Sequence, residues 1–114
     1  MYTQDTSASI RNAFDTAESN GVLYVTPLRI LAAILDEPDV DELLRSLRID
    51  KEELRTRLWI LIRREANRRR LLCSAVIFSK EASEIVQSAN LLVSSITPKR
   101  AVTGVDFMIA MHAR

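Results

Sequence analysis

The segment Val25-Thr26-Pro27-Leu28-Arg29-Ile30-Leu31-Ala32-Ala33-Ile34-Leu35 recurs in outline as Val102-Thr103-Gly104-Val105-Asp106-Phe107-Met108-Ile109-Ala110-Met111-His112. Each copy follows a small-residue amphipathic stretch, Ile10-Arg11-Asn12-Ala13 before the first and Val86-Gln87-Ser88-Ala89 before the second. The offset is 76 residues ahead of the intervening turn and 77 after it, so the second turn holds one more residue. A duplicated helix pair constrains the fold more tightly than any composition does. It predicts two similar units packed about a pseudo-twofold, an arrangement suited to a binding surface rather than a catalytic pocket.

Only two glycines and three prolines occur in 114 residues, and 47% of the residues are hydrophobic. Such a chain favours helices over sheets and buries one core without disulfides or metal. The net charge of +1 sets up no global field for nucleic acid or membrane. Cys73 is the single cysteine, so no intrachain disulfide forms, and a reducing compartment fits. No apolar run reaches the roughly 18 residues of a membrane span, and the polar Thr3-Gln4-Asp5-Thr6 shows no signal peptide. The expectation is a soluble, cytoplasmic, all-α protein.

Six helices are expected along the chain. The first starts near Asp5 to Ser7, which offer capping oxygens, and ends at Asn20-Gly21, where glycine takes the left-handed conformation. Thr26 caps the second, with Pro27 at its first turn; its continuous aliphatics predict deep burial. Asp36-Glu37-Pro38 breaks it. A short third helix carries Val40, Leu43, Leu44 and Leu47. The fourth opens on a capping box, Asp50 capping and Glu53 reaching back. It carries Leu54, Leu58, Leu61 and Ile62, widened by Trp59 and Ile60, and runs to about Arg70. Residues 74–78 have strand composition but no second strand to pair with, and read as an extended linker. Ser79 caps the fifth helix, and Thr103 the sixth, with Asp106 as a weaker capping-box partner. The domain is one unit over 1–114, with a first repeat at about 5–70, a linker at about 71–78 and a partial second repeat at about 79–114.

Chemistry-bearing motifs are sparse. Neither Gly-x-x-x-x-Gly-Lys-Ser/Thr nor Gly-x-Gly-x-x-Gly occurs, which excludes a phosphate-binding loop of the P-loop or dinucleotide type. His112 lies near the end of the sequence and reads as a solvated histidine. Cys73 follows Arg68, Arg69 and Arg70, a setting that favours its thiolate; a Cys73–His112 dyad is conceivable, a plain linker cysteine the simpler reading. The carboxylates Asp36, Glu37, Asp39, Asp41 and Glu42 lack the glycine and register of a calcium loop and read as a solvated loop. The arginines Arg63, Arg64, Arg68, Arg69 and Arg70 offer a contact for phosphate or an acidic partner, or a solvated helix end. No metal, cofactor or catalytic set is expected.

The repeated segments resemble the Clp amino-terminal domain found at the front of Clp-family AAA+ unfoldases. The resemblance lies in Val25-Thr26-Pro27 with residues 30–35, in Glu37-Pro38-Asp39-Val40, in Leu43-Leu44-Arg45-Ser46-Leu47, in Ile49-Asp50 and Leu54, and in the second copy from Phe78-Ser79-Lys80-Glu81-Ala82 to Met111. It implies an all-α double repeat whose second repeat is incomplete. It also implies a non-enzymatic, protein-binding role toward a Clp ATPase, adaptor or substrate polypeptide. Family members usually carry Glu-His just after the capping threonine and its neighbour; here those positions hold Leu28-Arg29 and Val105-Asp106. In some relatives the glutamates help recognise phosphorylated arginine, and their loss argues against that ligand.

The expected partner site is therefore the two helix starts: Thr26, Pro27, Leu28 and Arg29, with Thr103, Gly104, Val105 and Asp106. Leu28 and Val105 are apolar where a helix start can be exposed. The competing reading is a small nucleic-acid-binding regulator. It uses residues 63–70 and a helix–turn–helix-like run over 10–35, whose second helix has only Arg29 to read a base. A homo-oligomer in which a neighbour completes the second repeat is a third.

Overall fold

The computed structural model describes residues 2–71, 74–96 and 100–113, with backbone alone at 95 and 96. In order the elements are α1 (Gln4–Ser19), β1 (Tyr24–Val25), α2 (Pro27–Ile34), α3 (Pro38–Ser46), α4 (Lys51–Arg64), β2 (Ile77–Phe78), α5 (Lys80–Ile96) and α6 (Gly104–His112). The architecture is all-α with, among the described residues, one sheet of two two-residue strands.

Small residues at helical spacing decide how closely the helices pack. On α1, Thr6, Ser9, Ala13 and Ala17 are buried; at the offset of 76, α5 buries Ala82, Ile85, Ala89 and Val93. These faces let α2 lie on α1 and α6 on α5. The large buried side chains between them are Ile30, Ile34, Leu35 and Phe107, joined by Val40 and Leu44 of α3. Each fully buried aliphatic or aromatic side chain contributes about 1.5–3 kcal/mol, so this cluster dominates the stability.

The two units exchange their leading segments. Tyr24–Val25 ahead of α2 pairs in parallel with Ile77–Phe78 ahead of α5, and Val102 ahead of α6 forms a parallel bridge with Tyr2 ahead of α1. The hydrogen bonds match: Ser79 N donates to Val25 O and Thr3 N to Val102 O, both at 2.9 Å. The caps match too. Ser79 Oγ accepts from Ala82 N at 3.1 Å, and Thr3 Oγ1 accepts from Thr6 N at 3.2 Å. The pseudo-twofold is thus written into backbone pairing as well as helix packing.

Several boundaries differ from expectation. The first cap is Thr3, one turn earlier than Asp5 to Ser7. α3 ends at Ser46 because Arg48 adopts φ 58°, and Leu47 is left exposed. Asp50 Oδ1 does accept from Glu52 N and Glu53 N. Glu53, however, pairs with Arg57 at 2.9 Å instead of reaching back. On α4 only Leu58 and Ile62 are buried, whereas Ile60 and Leu61 face outward. The helix ends at Arg64, not near Arg70. The residues beyond it run beside residues 21–24: Leu23 N donates to Arg68 O and Arg70 N to Gly21 O, each at 2.8 Å. Asn67 completes this edge, its Nδ2 donating to Tyr24 O and its Oδ1 accepting from Tyr24 N. Residues 74–78 are not an unpaired linker, because Tyr24–Val25 supplies the missing strand. Cys73, the loop residues 97–99 and Arg114 lie outside the described residues.

Candidate functional site

The starts of α2 and α6 occupy equivalent places, yet their caps differ for a reason visible in one residue. At the third helical position α6 has Asp106, which accepts from Thr103 N at 2.8 Å while Thr103 Oγ1 accepts from Asp106 N at 3.4 Å. This is a full capping box, stronger than the sequence suggested. In α2 the same position is Arg29, which has no acceptor to offer. Thr26 accordingly makes no side-chain cap, and its Oγ1 donates instead to Glu65 Oε1 at 2.6 Å.

Both third-position charges are buried, Arg29 at 6% and Asp106 at 3% exposure. Arg100 Nη1 and Nη2 donate to Asp106 Oδ2 and Oδ1 at 3.1 and 2.9 Å. Burial pushes the Asp106 carboxyl up, but the hydrogen bonds from Arg100 and from Thr103 outweigh it. The group sits below the usual carboxylate range. For Arg29, burial pulls the guanidinium down and the Glu65 charge opposes that pull.

The predicted partner-site residues are more interior than the sequence reading held. Thr26, Arg29, Gly104 and Asp106 are buried, and Pro27, Leu28, Thr103 and Val105 are half-buried. Leu28 and Val105 pack against the core with part of each side chain at the surface.

Glu37 is the residue sequence reasoning missed. It was grouped with a solvated acidic loop, yet it is 4% exposed. Its Oε1 accepts from Thr6 Oγ1 at 2.6 Å and from Gly104 N at 3.2 Å. One carboxylate thus ties the start of α1, the start of α3 and the start of α6 together. Gly104 is required there, since a Cβ would lie 2.8 Å from Val40 Cγ2 and 3.0 Å from Glu37 Cδ. Two of the remaining loop acids answer α4: Arg55 Nη2 lies 2.6 Å from Asp36 Oδ1, and Lys51 Nζ lies 3.3 Å from Asp41 Oδ1. The hydrogen bond from Arg55 holds the Asp36 carboxyl low.

The five arginines do not form one patch on a helix. Arg63 and Arg64 end α4 and are exposed, Arg68 and Arg69 are exposed on the extended segment, and Arg70 is half-buried with Nη1 donating to Ser74 O at 3.0 Å. Arg29, the one cation that a groove-reading α2 would present, is buried and not on the open face of that helix. His112 is exposed. Among the described residues, no group of three His, Cys, Asp or Glu side chains could hold a metal ion, and no helix is long and apolar enough to cross a membrane.

Two clefts adjoin at Arg29. A recess of about 80 Å³ is lined by Asn12, Thr16, Arg29, Asp36, Arg55 and Trp59, among others. A wider one of about 350 Å³ is lined by Arg29, Trp59, Ile62, Arg63, Glu65 and Asn67, among others.

Comparison with known proteins places this architecture. A chain from structural investigations of a malarial protein secretion system superposes with a TM-score of 0.80 at 17% identity, covering 99% of this chain and 77% of that one. A chain from work on the coevolution of the ATPase ClpV, the TssB-TssC sheath and the accessory HsiE protein in two type VI secretion classes gives 0.79 at 20% identity. It covers 97% of this chain and 68% of that one. At such identities these likenesses speak to the fold alone. No curated protein sequence matches. The family described as Clp repeat (R) N-terminal domain matches residues 1–113. With helix order, reciprocal pairing and family match in agreement, the chain belongs to the Clp repeat amino-terminal domain family.

Proposed function

We propose that this chain is a protein-binding module that presents substrate polypeptides or adaptors to a Clp-type AAA+ unfoldase, as part of that machine or as its accessory. The family match over residues 1–113 carries this reading, since the family is an amino-terminal, non-catalytic domain of such machines. The proposed contact is the rim of the two helix starts. Leu28 and Val105 offer partly exposed apolar surface there, and Pro27 and Thr103 flank it. Apolar contact at the centre with charge at the edge is the usual anatomy of a protein interface. A cytoplasmic setting follows from the same reading.

The test is titration of the labelled chain with the Clp-type ATPase of its own genome and, separately, with a permanently unfolded polypeptide. Saturable binding to either, weakened about tenfold by Leu28→Ser or Val105→Ser in a chain whose circular dichroism is unchanged, supports the proposal. Absence of saturable binding to both at about 100 µM contradicts it.

A further inference from the structure

The pseudo-twofold supplies an internal control for one buried charge. Asp106 on α6 has its counter-ion, the two-pronged Arg100. Arg29, at the equivalent position on α2, has no such fork among the described residues: its Nε and Nη1 are shut away from solvent without a hydrogen-bond partner there. Glu65 is the carboxylate whose charge it feels, but Glu65 Oε1 is engaged by Thr26. Leaving guanidinium donors unmade inside a protein is expensive. The planar fork of arginine is matched by a carboxylate.

The surroundings fit an acceptor brought by another molecule. Arg29 and Trp59 are the side chains common to both adjoining clefts. Arg55 in the narrow recess is already forked onto Asp36, at 3.2 and 2.6 Å, so it adds little free charge. Glu65 lines the wider cleft and would repel a doubly charged phosphate more than a singly charged carboxylate. Ile62 and Trp59 give the wider cleft an apolar side, and Asn67 a polar one.

We propose that the cleft between α1, α2 and α4 binds a carboxylate of a polypeptide partner, clamped by the Arg29 guanidinium, with the adjoining residue of that partner lying against Trp59. The carboxylate is an acidic side chain or a chain terminus. Nε and Nη1 are closed to solvent in the free chain, so the proposed binding includes a shift of a side chain lining both clefts, assigned to the half-buried Trp59. This deepens the protein-binding reading above but places the contact in the α1–α2–α4 cleft and not on the Leu28 and Val105 rim.

Trp59 is the only tryptophan, so its fluorescence reports the cleft directly. The test titrates the full chain with three otherwise identical short apolar peptides, followed by that fluorescence and by calorimetry. One has an internal Asp and a C-terminal amide, one has Asn and a free C-terminal carboxylate, and one has Asn and the amide. Saturable binding of the first or the second, with no binding of the third, is expected, and which of the two binds identifies the carboxylate. In Arg29→Met binding weakens at least about tenfold while the melting temperature holds or rises, because an unpartnered charge has been removed. Arg29→Lys keeps the charge without the fork and also binds weakly.

Equal binding of all three peptides, unchanged affinity in Arg29→Met or Arg29→Lys, or equal displacement by inorganic phosphate overturns the proposal. So does a lower melting temperature in Arg29→Met together with no titration of the native chain, which would make Arg29 a structural residue. Leu28→Ser and Val105→Ser leave the peptide titration unchanged. Loss of Clp ATPase and unfolded-polypeptide binding in those variants, with the peptide titration intact, leaves both sites standing. An intact titration beside an inert rim refutes the rim alone.

Discussion

Replacing Glu37 with alanine removes one acceptor from two buried donors, Thr6 Oγ1 at 2.6 Å and Gly104 N at 3.2 Å. A buried donor stripped of its acceptor costs about 1–3 kcal/mol, which for two gives about 2–6 kcal/mol. Two effects reduce this. Thr6 Oγ1 can rotate, since it also sits 2.9 Å from Thr3 Oγ1, and the orphaned Glu37 Oε2 disappears with the mutation. The net cost is about 2–4 kcal/mol, against a total stability of about 5–15 kcal/mol for such a domain. At about 4 °C per kcal/mol, the melting temperature falls by about 8–16 °C. Glu37→Gln keeps an acceptor and costs about 1 kcal/mol. Urea denaturation of both variants, with a Glu37→Ala/Thr6→Ala double-mutant cycle, measures the terms separately. The expected coupling is about 0.5–3 kcal/mol. A Glu37→Ala loss below about 1 kcal/mol, or no coupling to Thr6, would refute the clasp.

Gly104→Ala drives a methyl into Val40 and Glu37 and costs about 1–3 kcal/mol by overpacking, seen as a lower urea midpoint with an unchanged slope. Thr3→Ala and Ser79→Ala remove equivalent caps and cost about 1 kcal/mol each; thermal melts that show one far below the other would break the pseudo-twofold account. Asp106 has its folded carboxyl held below the usual range. It adds stability that is complete above the ordinary carboxylate value of about 3.9 and is lost as pH falls below that through the folded value. Asp106→Asn exchanges the charge-assisted hydrogen bonds from Arg100 and Thr103 for neutral ones, costs about 1 kcal/mol and flattens that acid limb in denaturation curves from pH 7 downward.

Legibility followed how local each cause is. Helix starts set by Thr103, Ser79 and Asp50 were readable because the capping side chain and its target lie within three residues in the chain. So was the Gly21 stop, where φ is 68°. The duplication was readable because buried small residues recur at a fixed offset, Ala13 with Ala89. The pairing of β1 with β2 was not, because each is two residues long and its partner is about half the chain away. The end of α4 was missed for the same reason: Asn67 and Arg68 leave the helix to satisfy Tyr24 and Leu23. Among the candidate residues, type and position were legible and burial was not. Arg29 and Asp106 read as partner contacts at the helix starts, Asp106 also as a capping partner. Only the packing of one unit on the other showed that both are interior, one matched and one open. Glu37 looked like its exposed neighbours until its partners at residues 6 and 104 came within reach.

Amide hydrogen exchange on the chain saturated with the proposed Clp-type ATPase tests the protein-binding claim most directly. First-turn amides of a helix have no backbone acceptor within it, so Leu28 and Arg29 of α2 report what covers that start most directly, whereas Gly104 N and Asp106 N of α6 already have side-chain acceptors. The account predicts slowed exchange in peptides spanning residues 26–31 and 103–108. Unchanged exchange there, with protection confined to the exposed face of α4 around Ile60 and Leu61, would contradict it.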